Sequence, residues 1–406
     1  MIDVDVRTRT RADIHPVVAT DFFERTLPAA IGANEDLAVP GAKELPYRPF
    51  ALVVDGDAWT LTLDGDHLAV TPGSEGAHAI ARIGADDLAD LVHDLRTPMT
   101  FMTAGELDMP KGNLGHFLDF WVVLRSLLDA RPVYTRGSVS FRDRDGSPLD
   151  LTRGFDPDAD PADVEHFLAE AGFVHLRGVF TEAEMAAVSA EMDAAAPRYA
   201  PDDGRSWWAT TAAGEERLVR MMYFHQESPT TAALLGDDRF LAVGRLTGQA
   251  NGKPGENPNI VEALVKPIGV VQGISDVPWH KDCSLGSHSY RCCSLTVGVS
   301  ITGADADSGQ LRVVAGSHRA LVQPAFVRSN LDLPQVELPT ATGDLTVHLS
   351  CTLHMAQPPV SRERRVLYTD FSFIAGGADD DPGERKIADV RNKAFRTVSQ
   401  PPGHVD

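Results

Sequence analysis

Residues 279–282 read Trp279-His280-Lys281-Asp282, inside a long stretch, Asn259 to Phe373, made of short β-branched runs separated by Gly, Asp and Pro. The runs are Ile268 to Val271, Ser294 to Ile301, Gln310 to Val314, Leu345 to Leu349 and Val366 to Phe373. Such spacing predicts a double-sheet barrel or jelly roll for the C-terminal half. On a strand or at its exit, positions i and i+2 face the same way, so His280 and Asp282 can reach one metal together. The expected third ligand is His354, which follows Gly343-Asp344 and the run through Leu345, Val347 and Leu349 and so ends another strand. Two histidines and a carboxylate on one face of an octahedron suit non-haem Fe(II) and leave other positions open. His348, inside the run, is read as a packed strand residue. Arg364-Arg365 opens the next strand, where a guanidinium can grip a carboxylate bidentately. His-x-Asp alone is a weak signal; the strand context, His354 and the arginines give it weight.

The chain has 406 residues, enough for two domains. Its 37 basic and 58 acidic residues leave a net charge of −21, which argues against nucleic acid or anionic membrane as partner. Neither an apolar run long enough to span a bilayer nor a signal-peptide core is evident, so a cytoplasmic protein is the expectation. The four cysteines, Cys283, Cys292, Cys293 and Cys351, are too sparse for a disulfide framework and form no C-x-x-C pair. Reduced, mostly buried thiols are expected.

Upstream the pattern changes near residue 150. Asp160-Pro161-Ala162-Asp163 offers an N-cap and a first-turn proline, Val164, Phe167, Leu168 and Ala171 recur at helical spacing, and Gly172 stops the helix. Phe173 to Phe180 reads as a strand, and Thr181 with Glu184 as a capping box before Met185, Val188 and Met192. Before residue 150, Phe50 to Val54, Trp59 to Leu63 and His67 to Thr71 form a β-meander joined by Asp-Gly-Asp turns. A helix opens at Asp86, and Gly112 to Ala130 reads as a closing helix carrying Phe117, Phe120, Trp121, Leu124, Leu127 and Leu128. The fold class expected is an α+β N-terminal module over residues 1–150, then a jelly-roll domain with flanking helices over 151–406.

Residues from about 160 to 375 resemble the phytanoyl-CoA dioxygenase family of Fe(II)/2-oxoglutarate oxygenases. The matching stretches are Gly172-Phe173-Val174 through Arg177-Gly178-Val179-Phe180, Trp279-His280-Lys281-Asp282, Ser308 through Gly316-Ser317-His318-Arg319, and His354 with Arg365. The resemblance implies a cofactor, Fe(II), held by His280, Asp282 and His354, with 2-oxoglutarate and O2 as co-substrates. It places a 2-oxoglutarate-binding arginine about eleven positions past the distal histidine, which selects Arg365 over Arg364. It also makes His318 structural. The family's usual hydroxyl two places after the distal histidine is replaced here by Ala356, and Thr296 is the candidate to supply it instead. An intact Asp282 speaks against halogenation. The implied activity is hydroxylation of a small, biosynthetic metabolite, with desaturation or cyclisation as branches of the same chemistry.

Residues from about 20 to 135 resemble a sterol-carrier-protein-like module, on Phe22-Phe23, Leu27-Pro28, Trp59 to Leu63, Ile83 to Val92, Thr97-Pro98 and Ala104 to Leu107. This resemblance implies an apolar tunnel; the alternative is a scaffold or dimerisation module filled by its own side chains, which leaves room for a homodimer. Substrate-side candidates are Arg220, Tyr223 and His225, with Arg217 beside them, and Lys266 and Gln272 ahead of the His-x-Asp pair. Trp207-Trp208 either caps a pocket or packs between domains. The competing function is a non-catalytic carrier of a lipid-like ligand, or an interaction protein on a degenerate oxygenase barrel. The substrate is beyond the sequence.

Overall fold

The computed structural model describes residue 9 and residues 11–201, 203–248, 261–273, 277–285 and 294–372. Cys292, Cys293, Asn259 and Phe373 lie outside these residues, whereas Cys283 and Cys351 are buried.

The N-terminal module opens with helix α1 (Ala19–Asp21), which runs through a π-helical stretch (Phe22–Thr26) into α2 (Leu27–Glu44). Strands β1 (Phe50–Val54), β2 (Asp57–Asp64) and β3 (His67–Pro72) make the expected meander. Asp55 and Gly56 both take positive φ, as a two-residue hairpin turn with the strands' own twist requires. After β4 (Ala79–Ile83) come α3 (Ala85–Val92), α4 (Pro98–Thr103), β5 (Asp108–Lys111) and α5 (Leu114–Asp129). The sheet order is β3-β2-β1-β4-β5, with β1 and β4 parallel. Its core is aromatic: Phe23 stacks on Trp59 at 4.8 Å, and Phe50 stacks on Phe117 at 5.3 Å and on Phe120 at 4.6 Å.

Helix α6 (Pro161–Ala171) starts and stops as its sequence dictates. The Asp160 carboxylate accepts from the Ala162 N–H at 3.0 Å, and Gly172 closes the helix at φ 85°. Gly172 is also a point of close approach, because a Cβ there would collide with His318 Nδ1 and stand 2.6 Å from Thr352 Oγ1. The strand expected from Phe173 to Phe180 is shorter, β6 (Phe173–Leu176), because the Gly178 N–H turns aside to Asp344. Helix α7 (Glu182–Ala195) has the expected Thr181/Glu184 capping box.

The remaining elements are β7 (Ser206–Thr211), β8 (Glu216–Met221), α8 (Pro229–Leu235), α9 (Asp238–Val243), β9 (Glu262–Lys266), β10 (Val270–Gln272) and β11 (Ser294–Ser300). They are followed by β12 (Leu311–Val314), β13 (Gln335–Leu338), β14 (Leu345–Leu349), β15 (His354–Ala356) and β16 (Arg364–Ser372). The run Ile268 to Val271 is not one strand: Ile268 and Gly269 turn between β9 and β10. Two sheets result among the described residues, ordered β10-β7-β8-β9-β16-β11-β14-β6 and β13-β12-β15.

Alternation along the large sheet sorts its faces. Leu295, Val297 and Val299 of β11, Val347 of β14 and Leu367 and Phe371 of β16 share one buried cluster with Phe167, Val188 and Phe240 of the helices. The opposite face is polar: Thr296, Gly298 and Ser300 of β11, Thr346 and His348 of β14, and Arg364 and Tyr368 of β16. Leu311 of β12 and Leu338 of β13 line a cavity together with Gly298, Ser300, Thr346, Arg364 and Tyr368. The polar face of the large sheet therefore looks onto the small one.

Candidate metal centre

His280 and His354 face each other across an isolated antiparallel bridge, exchanging both backbone hydrogen bonds at 2.9 Å. Their rings are consequently close, 4.2 Å between centroids. Asp282 opens a short 3-10 turn (Asp282–Leu285), held to the end of β14 by the Cys283 N–H donating to Ser350 O at 3.1 Å. Asp282 Oδ1 stands 3.2 Å from His280 Nε2 and 3.7 Å from His354 Nε2. Cis ligands at about 2.1 Å from one ion are roughly 3 Å apart, so these separations fit a single metal. His280, Asp282 and His354 form such a group, with ligand atoms all within 4.8 Å of one another.

The tautomers are set by the backbone. His280 Nδ1 donates to Pro278 O at 2.8 Å and His354 Nδ1 to Thr352 O at 3.0 Å, which leaves each Nε2 lone pair aimed at the shared point. Burial, with the charges of His348 and His280, holds His354 well below the ordinary imidazole range, so it stays neutral as a ligand must. Burial pushes the Asp282 carboxyl up. The surrounding His354, His280 and His348 outweigh this and hold it well below the usual range. Two imidazoles and a carboxylate, converging on one point, are the donor set of a mononuclear non-haem metal.

Thr296 was expected to contact the co-substrate; its hydroxyl instead donates to Asp282 Oδ2 at 2.9 Å. His348, read as packing, has Nε2 at 3.3 Å from the same oxygen. The signal for it was in the alternation: Leu345, Val347 and Leu349 take one face, so Thr346 and His348 take the other.

Arg365 requires a correction. Its Nη1 donates to Ser189 O at 3.0 Å and its Nη2 pairs with Asp193 at 2.7 Å, which fixes it to α7 on the helix-covered face. Arg364 points the other way. It is 3% exposed, it lines the cavity between the sheets, and its Nε and Nη2 have no hydrogen-bond partner. Ser300 and Thr340, whose hydroxyls are 2.8 Å apart, line the same cavity. Ala356 on β15 pairs with Leu311.

The substrate-side residues separate. Lys266 is fully buried opposite Arg364 and donates to Gln357 O at 2.9 Å. Arg220 pairs with Glu262 at 2.9 Å and lies over the Trp207 ring at 4.0 Å. Trp208 donates to Ser206 Oγ at 2.9 Å within its own strand, and Arg217 pairs with Glu363 at 2.7 Å. Tyr223 and His225 do not share a strand face: β8 ends at Met221, Tyr223 takes φ 56°, and His225 sits in a 3-10 turn (Phe224–Gln226). Gln272 is exposed on the edge strand β10. His318 is structural as expected, its Nε2 donating to Ala169 O at 2.8 Å.

Fold and centre together define a mononuclear non-haem metal enzyme of the two-histidine, one-carboxylate class. Residues 168–366 match the phytanoyl-CoA dioxygenase (PhyH) family and form a domain of that family. Its enzymes are non-haem iron and 2-oxoglutarate-dependent, and His280, Asp282 and His354 are the corresponding metal triad. No curated protein matches the chain. Among solved structures it is similar to EctD from S. alaskensis with 2-oxoglutarate and 5-hydroxyectoine (17% identity, 63% of this chain and 90% of that one, TM-score 0.45). It is similar too to AviO1 from Streptomyces viridochromogenes Tue57 (18%, 54% and 97%, TM-score 0.42). A third is the non-heme alpha ketoglutarate dependent epimerase SnoN from nogalamycin biosynthesis (22%, 55% and 89%, TM-score 0.41).

Proposed function

We propose that the protein hydroxylates a small biosynthetic metabolite, with 2-oxoglutarate as co-substrate, and that Arg364 rather than Arg365 binds that co-substrate. One observation carries this reading: the sheet face whose Thr296 and His348 contact Asp282 of the metal triad also carries Arg364, a buried guanidinium in a between-sheet cavity whose Nε and Nη2 lack partners. An unpaired buried cation is costly unless an anion joins it, and a carboxylate matches the guanidinium fork. Iron held by the triad supplies dioxygen activation coupled to decarboxylation of 2-oxoglutarate. The chain's own residues do the rest. His280 and His354 keep their Nε2 lone pairs forward, Thr296 restrains Asp282, and Arg364, with Ser300 and Thr340 beside it, orients the distal carboxylate. Desaturation and ring closure are outcomes of the same site with a different substrate.

The two sheets are read as a double-stranded β-helix, with domains 1–150 and 151–406. For the first domain, the stacked Phe23, Trp59, Phe50, Phe117 and Phe120 favour a self-filled scaffold over a lipid tunnel. Anaerobic Fe(II) with 2-oxoglutarate should give a weak visible absorption band that His280→Ala abolishes; folded protein without the band refutes the oxygenase reading. Screening metabolites for stimulated succinate formation then finds the substrate.

A further inference from the structure

Asp282 has two carboxylate oxygens, and the surroundings treat them differently. Oδ1 is the one facing His280 Nε2 and His354 Nε2, at 3.2 and 3.7 Å. Oδ2 faces Thr296 Oγ1 at 2.9 Å and His348 Nε2 at 3.3 Å. Thr296 and His348 are direct cross-strand partners on β11 and β14, so the two donors come from one rung of the ladder.

We propose that His348 is a positioning residue of the metal centre, which with Thr296 holds Oδ2 of Asp282 away so that Oδ1 alone meets the metal. The inference rests on the metal reading above. A carboxylate free to turn can present both oxygens to a divalent ion and fill a position that the reaction needs open. Two donors on Oδ2 oppose that rotation. His348 is only 1% exposed, so water does not compete for the bond. Its Nδ1 is buried without a partner, which puts the proton on Nε2, where the acceptor lies. The same ring stands 4.1 Å from the His354 ring, so one side chain braces two of the three ligands. A histidine in the middle of a strand thereby acquires a reason that packing alone does not give it.

The test is anaerobic titration of Fe(II) into the metal-free full chain against a chromogenic chelator. His348→Phe keeps a ring beside His354 and removes the donor; it should weaken Fe(II) binding by about 10–100-fold, as loss of an outer partner of a metal ligand does. His348→Gln, whose amide N–H can reach Oδ2, should recover most of that loss, and 2-oxoglutarate affinity of the iron-loaded variants should stay near that of the wild type. A folded His348→Phe protein that binds Fe(II) like the wild type, or a Gln variant no better than Phe, overturns the proposal. Should His348→Phe fail to fold, Thr296→Val asks the same of the same oxygen, and unchanged Fe(II) affinity there overturns it too. Wild-type protein that binds no Fe(II) at all refutes the metal reading itself, and this inference falls with it.

Discussion

Two adjacent arginines show how much a single position decides. Arg364 and Arg365 have the same chemistry, but β16 sends them to opposite faces of the sheet. The register fixes which is which: Val366 pairs with Ser300 and Leu367 with Val299, so Arg364 shares the polar face and Arg365 the helix-covered one. Arg364→Ala should weaken 2-oxoglutarate binding by roughly 100-fold, the value of a bidentate, charge-assisted contact of about 3 kcal/mol, while Fe(II) still binds. Arg365→Ala removes a pair with Asp193, which is 67% exposed, and should cost about 1 kcal/mol or less in stability without moving 2-oxoglutarate affinity. Titrating both variants with 2-oxoglutarate at saturating Fe(II) separates them. A large effect on the Arg365 variant alone would return the role to that residue and contradict the register.

At the scale of elements, what was legible in the sequence was whatever a local cap or alternation writes down. Asp160, Pro161 and Gly172 delimit α6, Thr181 and Glu184 begin α7, and Asp55-Gly56 turns β1 into β2. The metal triad was legible too through its spacing, although His354 begins β15 rather than ending the run of Leu345 to Leu349, and His280 sits on an isolated bridge. Cross-strand partnerships were not. Nothing local to His348 or Thr296 says that they meet Asp282, and counting eleven positions past His354 could not register where β16 begins its pairing. The turn Gly316-Ser317-His318-Arg319 is a similar case, since its purpose lies in α6: the Gly316 N–H donates to Ala171 O at 2.9 Å and His318 to Ala169 O. Burial pulls the His318 imidazole down to about 4, against the Ala169 carbonyl, and the nearby Arg319, Lys281 and Arg131 charges add to it. Because the folded value lies below the unfolded one of about 6.5, the unfolded chain takes up the proton first, and stability falls as pH drops from about 6.5 towards 4. Melting curves across that window should show the loss, and His318→Gln should flatten part of it. Equal slopes would show that His318 is not the titrating group. Gly172→Ala should destabilise the same junction by about 1–3 kcal/mol, through its positive φ and the collision with His318 and Thr352; chemical denaturation measures it.

Across the whole molecule, the five-stranded N-terminal sheet and its helices are joined to the rest of the chain by a built seam. Val133 bridges Leu321, and Leu321 belongs to the module's own buried core. Arg136 donates to Asn330 O and Ser329 O, Tyr134 bonds Asp332, and Met99 and Leu118 pack on Ala325. Helix α4 also lies against the Asp282–Leu285 turn, so the module reaches the metal site. At the centre of the seam Asp119 of α5 accepts from Gln323 and, at 3.0 Å, from Arg328. Burial raises this carboxyl to about 6, and Arg328 and Gln323 offset only part of the cost. Its folded value exceeds the unfolded one of about 3.9, so the unfolded chain ionises first and stability falls as pH rises from about 4 through 6. His318 acts in the opposite sense over the same range, so the informative quantity is the difference between wild type and Asp119→Asn rather than either curve alone. Asp119→Asn removes the falling contribution, and its melting temperature relative to wild type should rise steadily between pH 4 and pH 6.5 and then level off. A constant offset across that range would mean that Asp119 is ionised throughout and that the seam is held by the Arg328 pair. The join of α5 to the Gln323–Arg328 stretch would then rest on a salt bridge rather than on a buried, partly protonated carboxyl.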